Sequence, residues 1–162
     1  MRHVWRAVDR AIENIVNAGG WLVLPVALLL FLQWPLREFV GRYSREANDL
    51  GQWLFALYVT IALTAATRRG AHLATDALSH RYPESVRRVL LNAVRAFALL
   101  PWTIFIVWSG AGTAARAVAA LERFPDTFNP GYFVVKLTMI LLALLLCAQT
   151  LVDLFGTERR GN

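Results

Sequence analysis

The stretch NIVNAGGWLVLPVALLLFLQWPL, residues 14–36, contains 23 residues without one charged side chain. A helix of about 20 apolar residues crosses the roughly 30 Å hydrocarbon core of a bilayer, so this stretch predicts a transmembrane helix. Three more uncharged stretches follow, at residues 50–67, 96–115 and 137–152. The last has only 16 residues, but it is long enough if Lys136 lies near an interface and extends its ammonium group to water. The sequence therefore predicts four membrane spans.

The composition agrees with a membrane protein. The 162 residues are 57% hydrophobic with a mean hydropathy of +0.44, which is too apolar for a soluble domain of this size. The net charge of +6 would suggest nucleic-acid binding in a soluble protein. Here the basic residues lie outside the four uncharged stretches, in the termini, the loops and the ends of the predicted spans, which accounts for the net charge, and we expect no nucleic-acid partner. The single cysteine, Cys147, lies in the last span, which excludes an intrachain disulfide.

We expect an all-α membrane protein with one domain over residues 1–162. Residues 1–18 place apolar and charged side chains on opposite faces at helical spacing, which predicts an amphipathic helix in the membrane interface; the alternative is a solvated helical arm. Eleven of the 17 basic residues lie on the side of the two termini and six on the other side, so the positive-inside rule places both termini in the cytoplasm. The four spans are predicted at about residues 20–40, 50–67, 93–116 and 131–155.

Two further patterns bear on the helices. Pro83 and Glu84 are typical of a first helical turn, so the third helix is predicted to begin well before its span, with a break near Pro101. Small residues recur on one face of the second and third spans: Ala56, Thr60, Thr64, Gly110 and Ala114. Such faces let another helix approach closely, and that helix belongs either to this chain or to a partner.

The sequence argues against an enzyme or a cofactor protein. No charged side chain and no histidine falls in the middle of a predicted span, although a proton pump or a b-type haem protein needs one there. His72, Asp76 and His80 are ligand types for zinc at helical spacing. Three ligands spread over two turns reach one ion poorly, and Asp76 is better explained as a partner of Arg69 or a helix-end acceptor. We therefore expect no catalytic residue, no cofactor and no metal.

Two stretches resemble a known family. In the first, Arg37 ends the first span, Arg42 follows in a short loop, and Asn48-Asp49 open the second span where the family usually has two carboxylates. The second is a basic-basic-Gly-x-His turn with an aspartate shortly after it: Arg68, Arg69, Gly70, His72 and Asp76. Both resemble the DctQ-like small membrane subunit of tripartite ATP-independent periplasmic (TRAP) transporters. Residues 126–132, DTFNPGY, are similar to the branch linked to mannitol or chloroaromatic compounds.

The resemblance implies a multi-pass protein of the bacterial inner membrane with two protein partners. A DctM-like large membrane subunit would hold the substrate and sodium sites, and a periplasmic binding protein would deliver an organic acid or a similar small solute. The small subunit would brace the large one among the membrane lipids. Spans with small-residue faces and no central charge are consistent with that supporting role. The alternatives are an autonomous small transporter and a membrane enzyme or cofactor protein.

The resemblance also suggests which residues contact partners. The candidates for docking are charged residues on the predicted periplasmic side, which we expect to be exposed: Arg37, Arg42, Arg45, Glu46, Asp49 and Asp126. The alternative is that they contact only solvent or lipid headgroups. The motif from Arg68 to Asp76 lies on the predicted cytoplasmic side, where we assign it to fixing the turn and to binding anionic headgroups.

Overall fold

The computed structural model describes residues 2–41, 44–69 and 83–155, and every regular element in these ranges is helical. The elements are α1 (Arg2–Gly20), α2 (Val23–Val40), α3 (Arg45–Arg68), α4 (Glu84–Val94), a π-helical turn (Arg95–Leu99), α5 (Leu100–Ala119) and α6 (Tyr132–Phe155). Four helical runs are long and apolar enough to cross a membrane: Val4–Phe39, Arg45–Arg68, Ser85–Ala119 and Tyr132–Phe155. The prediction of an all-helical protein with four spans is confirmed.

The spans run between two ends of the molecule. We call one the terminal end, because it contains the start of α1, the end of α3, the start of α4 and the end of α6. The other is the loop end, which contains the connection from α2 to α3 and residues 120–131. The sequence predicts that the terminal end is cytoplasmic and the loop end periplasmic, and this sidedness stays a prediction.

Local signals set the helix boundaries. Gly41 ends α2 with a φ of +64°, and its N–H donates to the carbonyl of Leu36. Ser44 caps α3, because its hydroxyl oxygen accepts a hydrogen bond from the N–H of Ala47 at 3.2 Å. The π-helical turn lies just before Pro101, whose ring and missing N–H disturb the preceding turn. It occupies the region where the sequence predicts a break in the third helix.

The four spans form an open row. Within the described ranges α2 packs on α3, α3 on α6 and α6 on α5, whereas α2 and α5 share no extensive contact. α1 packs against α3 and α6. An open row leaves two broad apolar faces, on which Phe31 is 68% and Trp108 is 85% exposed. In a bilayer these faces contact lipid or another membrane protein.

The small-residue faces are used inside the chain. The Thr60 hydroxyl is buried; it lies 2.9 Å from the carbonyl oxygen of Ala56 and 3.2 Å from that of Thr138 on α6. Gly110 packs against α6, where an added Cβ would lie 2.8 Å from Cδ1 of Ile140. The sequence left open whether a helix of this chain or of a partner covers the two small-residue faces. In the structure, α6 of the same chain packs on both.

α1 packs on the other helices with the face that the sequence assigns to lipid. Ile12 and Val16 are buried, and a Cβ added to Gly19 would overlap the side chain of Ile61 on α3. An apolar face that protein already covers gains little from entering lipid. Val4 and Ile15 of the same apolar set are 63% and 42% exposed, and the interfacial position of α1 stays a prediction.

Candidate functional site

The first turn of α3 gathers polar side chains on one face. Arg45, Asn48 and Asp49 stand three and four residues apart and so share a side of the helix. Asp49 is only 7% exposed, and its Oδ2 accepts a hydrogen bond from the Thr127 hydroxyl at 2.5 Å. The prediction that Asp49 is an exposed charge is therefore wrong, because the loop after α5 covers it.

That loop, residues 120–131, is held in place by an aromatic cluster. The ring of Phe124 is 2% exposed and its centroid lies 6.0 Å from that of Trp53 and 5.5 Å from that of Tyr132. Nε1 of Trp53 donates to the carbonyl of Gly131 at 2.9 Å. Gly131 has a φ of +135°, and a Cβ there would overlap the Trp53 ring, so glycine is required at this position.

An ion pair braces the same loop from the side of α6. Nζ of Lys136 lies 2.6 and 2.7 Å from the two carboxylate oxygens of Glu122, and 5.6 Å from the ring centroid of Tyr132. The Glu122 carbonyl also accepts hydrogen bonds from the N–H groups of Gly131 and Tyr132, each at 3.0 Å. The charge of Lys136 is thus balanced within the chain, and the start of α6 is tied to the loop.

Arg45, Asn48, Asp49 and Asp126 line a pocket of about 200 Å³, which we call the loop-end pocket. Within the described residues, the side chains of Arg45, Asn48 and Asp126 make no hydrogen bond or ion pair, and Asp49 bonds only through Oδ2. Among the described residues, the pocket therefore presents one positive and two negative charges, of which only Asp49 has a partner in the chain.

The structure brings together three of the six predicted docking residues, namely Arg45, Asp49 and Asp126. Two others are described but do not line the pocket. Arg37 is exposed in the last turn of α2, and Glu46 accepts a hydrogen bond from the Ser44 hydroxyl at 3.2 Å. Arg42 lies outside the described residues. The docking role of all six stays a prediction.

The sequence did not identify the residues that hold the 120–131 loop in place beside α3: Trp53, Phe124, Thr127 and Gly131. A partial signal was present, because Trp53 follows Asp49 by four residues and so shares its helix face. Thr127 directly follows Asp126 in a segment rich in turn-forming residues. Asn48, where the resemblance implies a carboxylate, also lines the pocket, which then carries one negative charge fewer than that pattern implies.

A second polar cluster lies at the terminal end and is centred on Arg68. Its Nη1 lies 2.7 Å from Oδ1 of Asp9, and its Nη2 lies 3.2 Å from Oε2 of Glu13. Nη1 also donates to the backbone carbonyl of Asp9 at 3.1 Å and lies 3.4 Å from Oε1 of Gln149. Arg68 therefore ties α1 to α3 and α6.

The cluster continues along α6. Nε2 of Gln149 donates to Oδ1 of Asp153 at 2.8 Å, and Oδ2 of Asp153 lies 3.1 Å from Nη2 of Arg95. Arg95 is the first residue of the π-helical turn. The third span is thereby joined to the same cluster, which links α1 and three of the spans. The sequence offered one signal for it, the polar pair Gln149 and Asp153 one helical turn apart.

This geometry changes the interpretation of the second family motif. The Arg68 side chain is 14% exposed and its guanidinium binds carboxylates of the chain, so the predicted contact with lipid headgroups does not apply to Arg68. Arg69 is exposed. The role of the motif as a whole stays a prediction, because the rest of that region lies outside the described residues: Gly70, His72, Asp76 and His80.

The fold and the loop-end pocket define a multi-pass helical membrane protein with unused polar groups at one end. A family model, described as the DctQ component of tripartite ATP-independent periplasmic transporters, matches residues 26–160. The chain belongs to this family, so it is a small membrane subunit of a TRAP transporter, and the family is one of transporter components rather than enzymes. No curated protein and no solved structure matches the chain significantly. The mannitol or chloroaromatic branch stays a prediction.

Proposed function

We propose that this chain braces the large transport subunit of a TRAP-type secondary transporter and helps to dock the periplasmic binding protein. The observation that carries the proposal is the family match over residues 26–160. The transporter takes up an organic acid or a similar small solute with sodium across the bacterial inner membrane. The small subunit has no catalytic role in this scheme.

The polar groups inside the row support a bracing role. The hydroxyls of Thr64, Thr103 and Thr150 donate to carbonyls of their own helices at 2.7 to 2.8 Å. A path for a charged solute requires polar groups that are available at membrane depth. These hydroxyls are satisfied by the backbone instead. The row is thus better suited to pack beside a transport subunit than to carry a charged solute itself.

The distribution of charge supports docking at the loop end. At the terminal end, Arg68 and Arg95 are paired with carboxylates of the chain. In the loop-end pocket, Arg45 and Asp126 have no such pair among the described residues. Charges that the chain leaves unused are available to steer and hold a soluble partner. The other predicted docking residues keep that role in the proposal: Arg37, Arg42, Glu46 and Asp49.

Co-purification and transport together test the proposal. The chain is co-expressed with the large membrane subunit of its transporter, and a tag on the small chain is used for purification in detergent. We expect the large subunit to be retained, and solute uptake in proteoliposomes to require both subunits, the binding protein and sodium. If the small chain is recovered alone and moves solute by itself, it is an autonomous transporter and the proposal is wrong.

A further inference from the structure

We propose that the loop-end pocket receives one basic side chain, lysine or arginine, of the periplasmic binding protein, and that Phe128 makes the apolar contact beside it. The inference rests on the proposed function and gives the docking site a specific partner chemistry. Three features of the structure lead to it: the charges of the pocket, its size and burial, and the conformation of Phe128.

The charges select a cation. Asp49 and Asp126 contribute two negative charges and Arg45 one positive charge. Oδ1 of Asp49 accepts no hydrogen bond from a described residue, and neither does the carboxylate of Asp126. A single ammonium or guanidinium group between these carboxylates balances the excess negative charge of the described lining residues. An additional anion would face two like charges.

The size and burial of the pocket favour one side chain. Its volume of about 200 Å³ exceeds the roughly 30 Å³ of one water molecule several-fold, but it is far too small for a folded segment. Asp49 at its wall is 7% exposed. A charge pair with a carboxylate so shielded from water is screened much less than a pair on an open surface. A cation in the pocket therefore interacts more strongly with Asp49 than it would with an exposed carboxylate.

Phe128 follows Asp126 by two residues and supplies the apolar part of the proposed contact. It has a φ of +57° and is 70% exposed, in a loop where its neighbours Asp126 and Asn129 are also exposed. A non-glycine residue rarely adopts this left-handed conformation. Here it is held by the hydrogen bond from its N–H to the carbonyl of Phe124 at 2.9 Å and by Arg123, whose Nη1 donates to its carbonyl at 3.3 Å. Aromatic residues, Phe among them, are enriched at protein interfaces, which makes this exposed ring in the same loop as Asp126 a candidate contact.

The test measures binding of the purified binding protein to the complex of small and large subunits in lipid nanodiscs. The variants are Asp126→Asn, Asp49→Asn and Phe128→Ala. Glu38→Gln is the matched control, because Glu38 is an exposed carboxylate in the last turns of α2 that does not line the pocket. Asp126 is the primary position, since its side chain bonds to no described residue and its replacement removes no such contact.

We expect Asp126→Asn to weaken binding about tenfold and to reduce its dependence on salt, whereas Glu38→Gln changes the affinity less than about twofold. Phe128→Ala is expected to weaken binding without altering the salt dependence. A charge exchange completes the test: Asp126→Lys abolishes binding, and the reversal of one lysine or arginine on the binding protein to glutamate restores it.

The outcomes separate this inference from the proposed function. If the wild-type complex binds and the pocket variants behave like Glu38→Gln, the inference is overturned and the proposed function stands. If the pocket variants keep their affinity but lose bound phosphatidylethanolamine, the pocket is a lipid headgroup site and the inference is again overturned. If the wild-type complex does not assemble or does not bind the binding protein, the proposed function fails first.

Discussion

Gly131 is the residue on which the position of the 120–131 loop most depends. Its φ of +135° and the overlap of any Cβ with Trp53 predict that Gly131→Ala lowers the free energy of unfolding by roughly 1–3 kcal/mol from backbone strain alone. The matched control is Gly112→Ala, because the nearest atom to a Cβ there lies 3.9 Å away in an ordinary helix. The measurement is the thermal unfolding midpoint in detergent. Equal midpoints for the two variants would show that the loop adjusts without strain.

Trp53 gives a second prediction at the same place. Trp53→Phe keeps an aromatic ring against Phe124 but removes the hydrogen bond from Nε1 to the Gly131 carbonyl. We expect a loss of about 1 kcal/mol in stability, smaller than that of Gly131→Ala. Trp102→Phe is the control, since Trp102 is 50% exposed on α5. The same unfolding measurement applies, and a midpoint unchanged from wild type would mean that the hydrogen bond contributes nothing to holding the loop.

Among the elements, α1 is the helix whose position depends most on one side chain. Arg68 binds both Asp9 and Glu13, which face α3 one helical turn apart. We expect Arg68→Gln to weaken this attachment by roughly 1–2 kcal/mol, a value reduced because Asp9 and Glu13 are 39% and 53% exposed. Arg69→Gln is the control, because Arg69 is the exposed neighbour of Arg68.

The attachment of α1 can be followed at Ile12, which is 2% exposed where α1 packs on the other helices. In a background without Cys147, an Ile12→Cys residue should react slowly with a maleimide. Arg68→Gln should speed that reaction and Arg69→Gln should not. If the two variants react at the same rate, apolar packing alone holds α1 and the Arg68 cluster is not needed for its position.

The spans were predictable from the sequence because the absence of charge over about 20 residues is a strong and local signal. What covers each face was not predictable. The spacing of Thr60 and Thr64 identifies a small-residue face, but whether α6 or a partner covers it depends on which helices are neighbours. The same applies to α1, whose Ile12 and Val16 are buried in its packing on α3 and α6.

For the charged residues, too, only part of the environment was predictable from the sequence. The six predicted docking charges are expected to be exposed, which holds for Arg37 and Asp126. It fails for Asp49, since a loop that lies 78 residues further along the chain bonds to it and covers it. The carboxylate partners of Arg68 were not predictable either, since they lie 59 and 55 residues earlier. Sequence spacing finds partners one or two turns away on a helix, but it does not find partners that only the packing of helices brings together.

At the scale of the whole molecule, the two polar clusters lie at opposite ends of the same central pair of helices. α3 begins at the loop-end pocket and ends at Arg68. α6 begins beside Gly131 and ends with Gln149 and Asp153 of the terminal cluster. The outer helices of the row, α2 and α5, contribute mainly apolar surface. The central pair therefore fixes the two ends of the molecule, while the outer helices are free to meet lipid or the large subunit.

This arrangement makes the sidedness of the protein decisive, because the loop-end pocket can meet a periplasmic protein only if it faces the periplasm. The excess of basic residues on the side of the termini, eleven against six, predicts that it does. In a background without Cys147, an Asn129→Cys residue should react with a membrane-impermeant maleimide in intact cells whose outer membrane is permeable to the reagent. An Arg10→Cys residue, exposed on α1, should react only after the inner membrane is opened. The reverse pattern would place the pocket in the cytoplasm and would exclude both the docking role and the basic partner side chain.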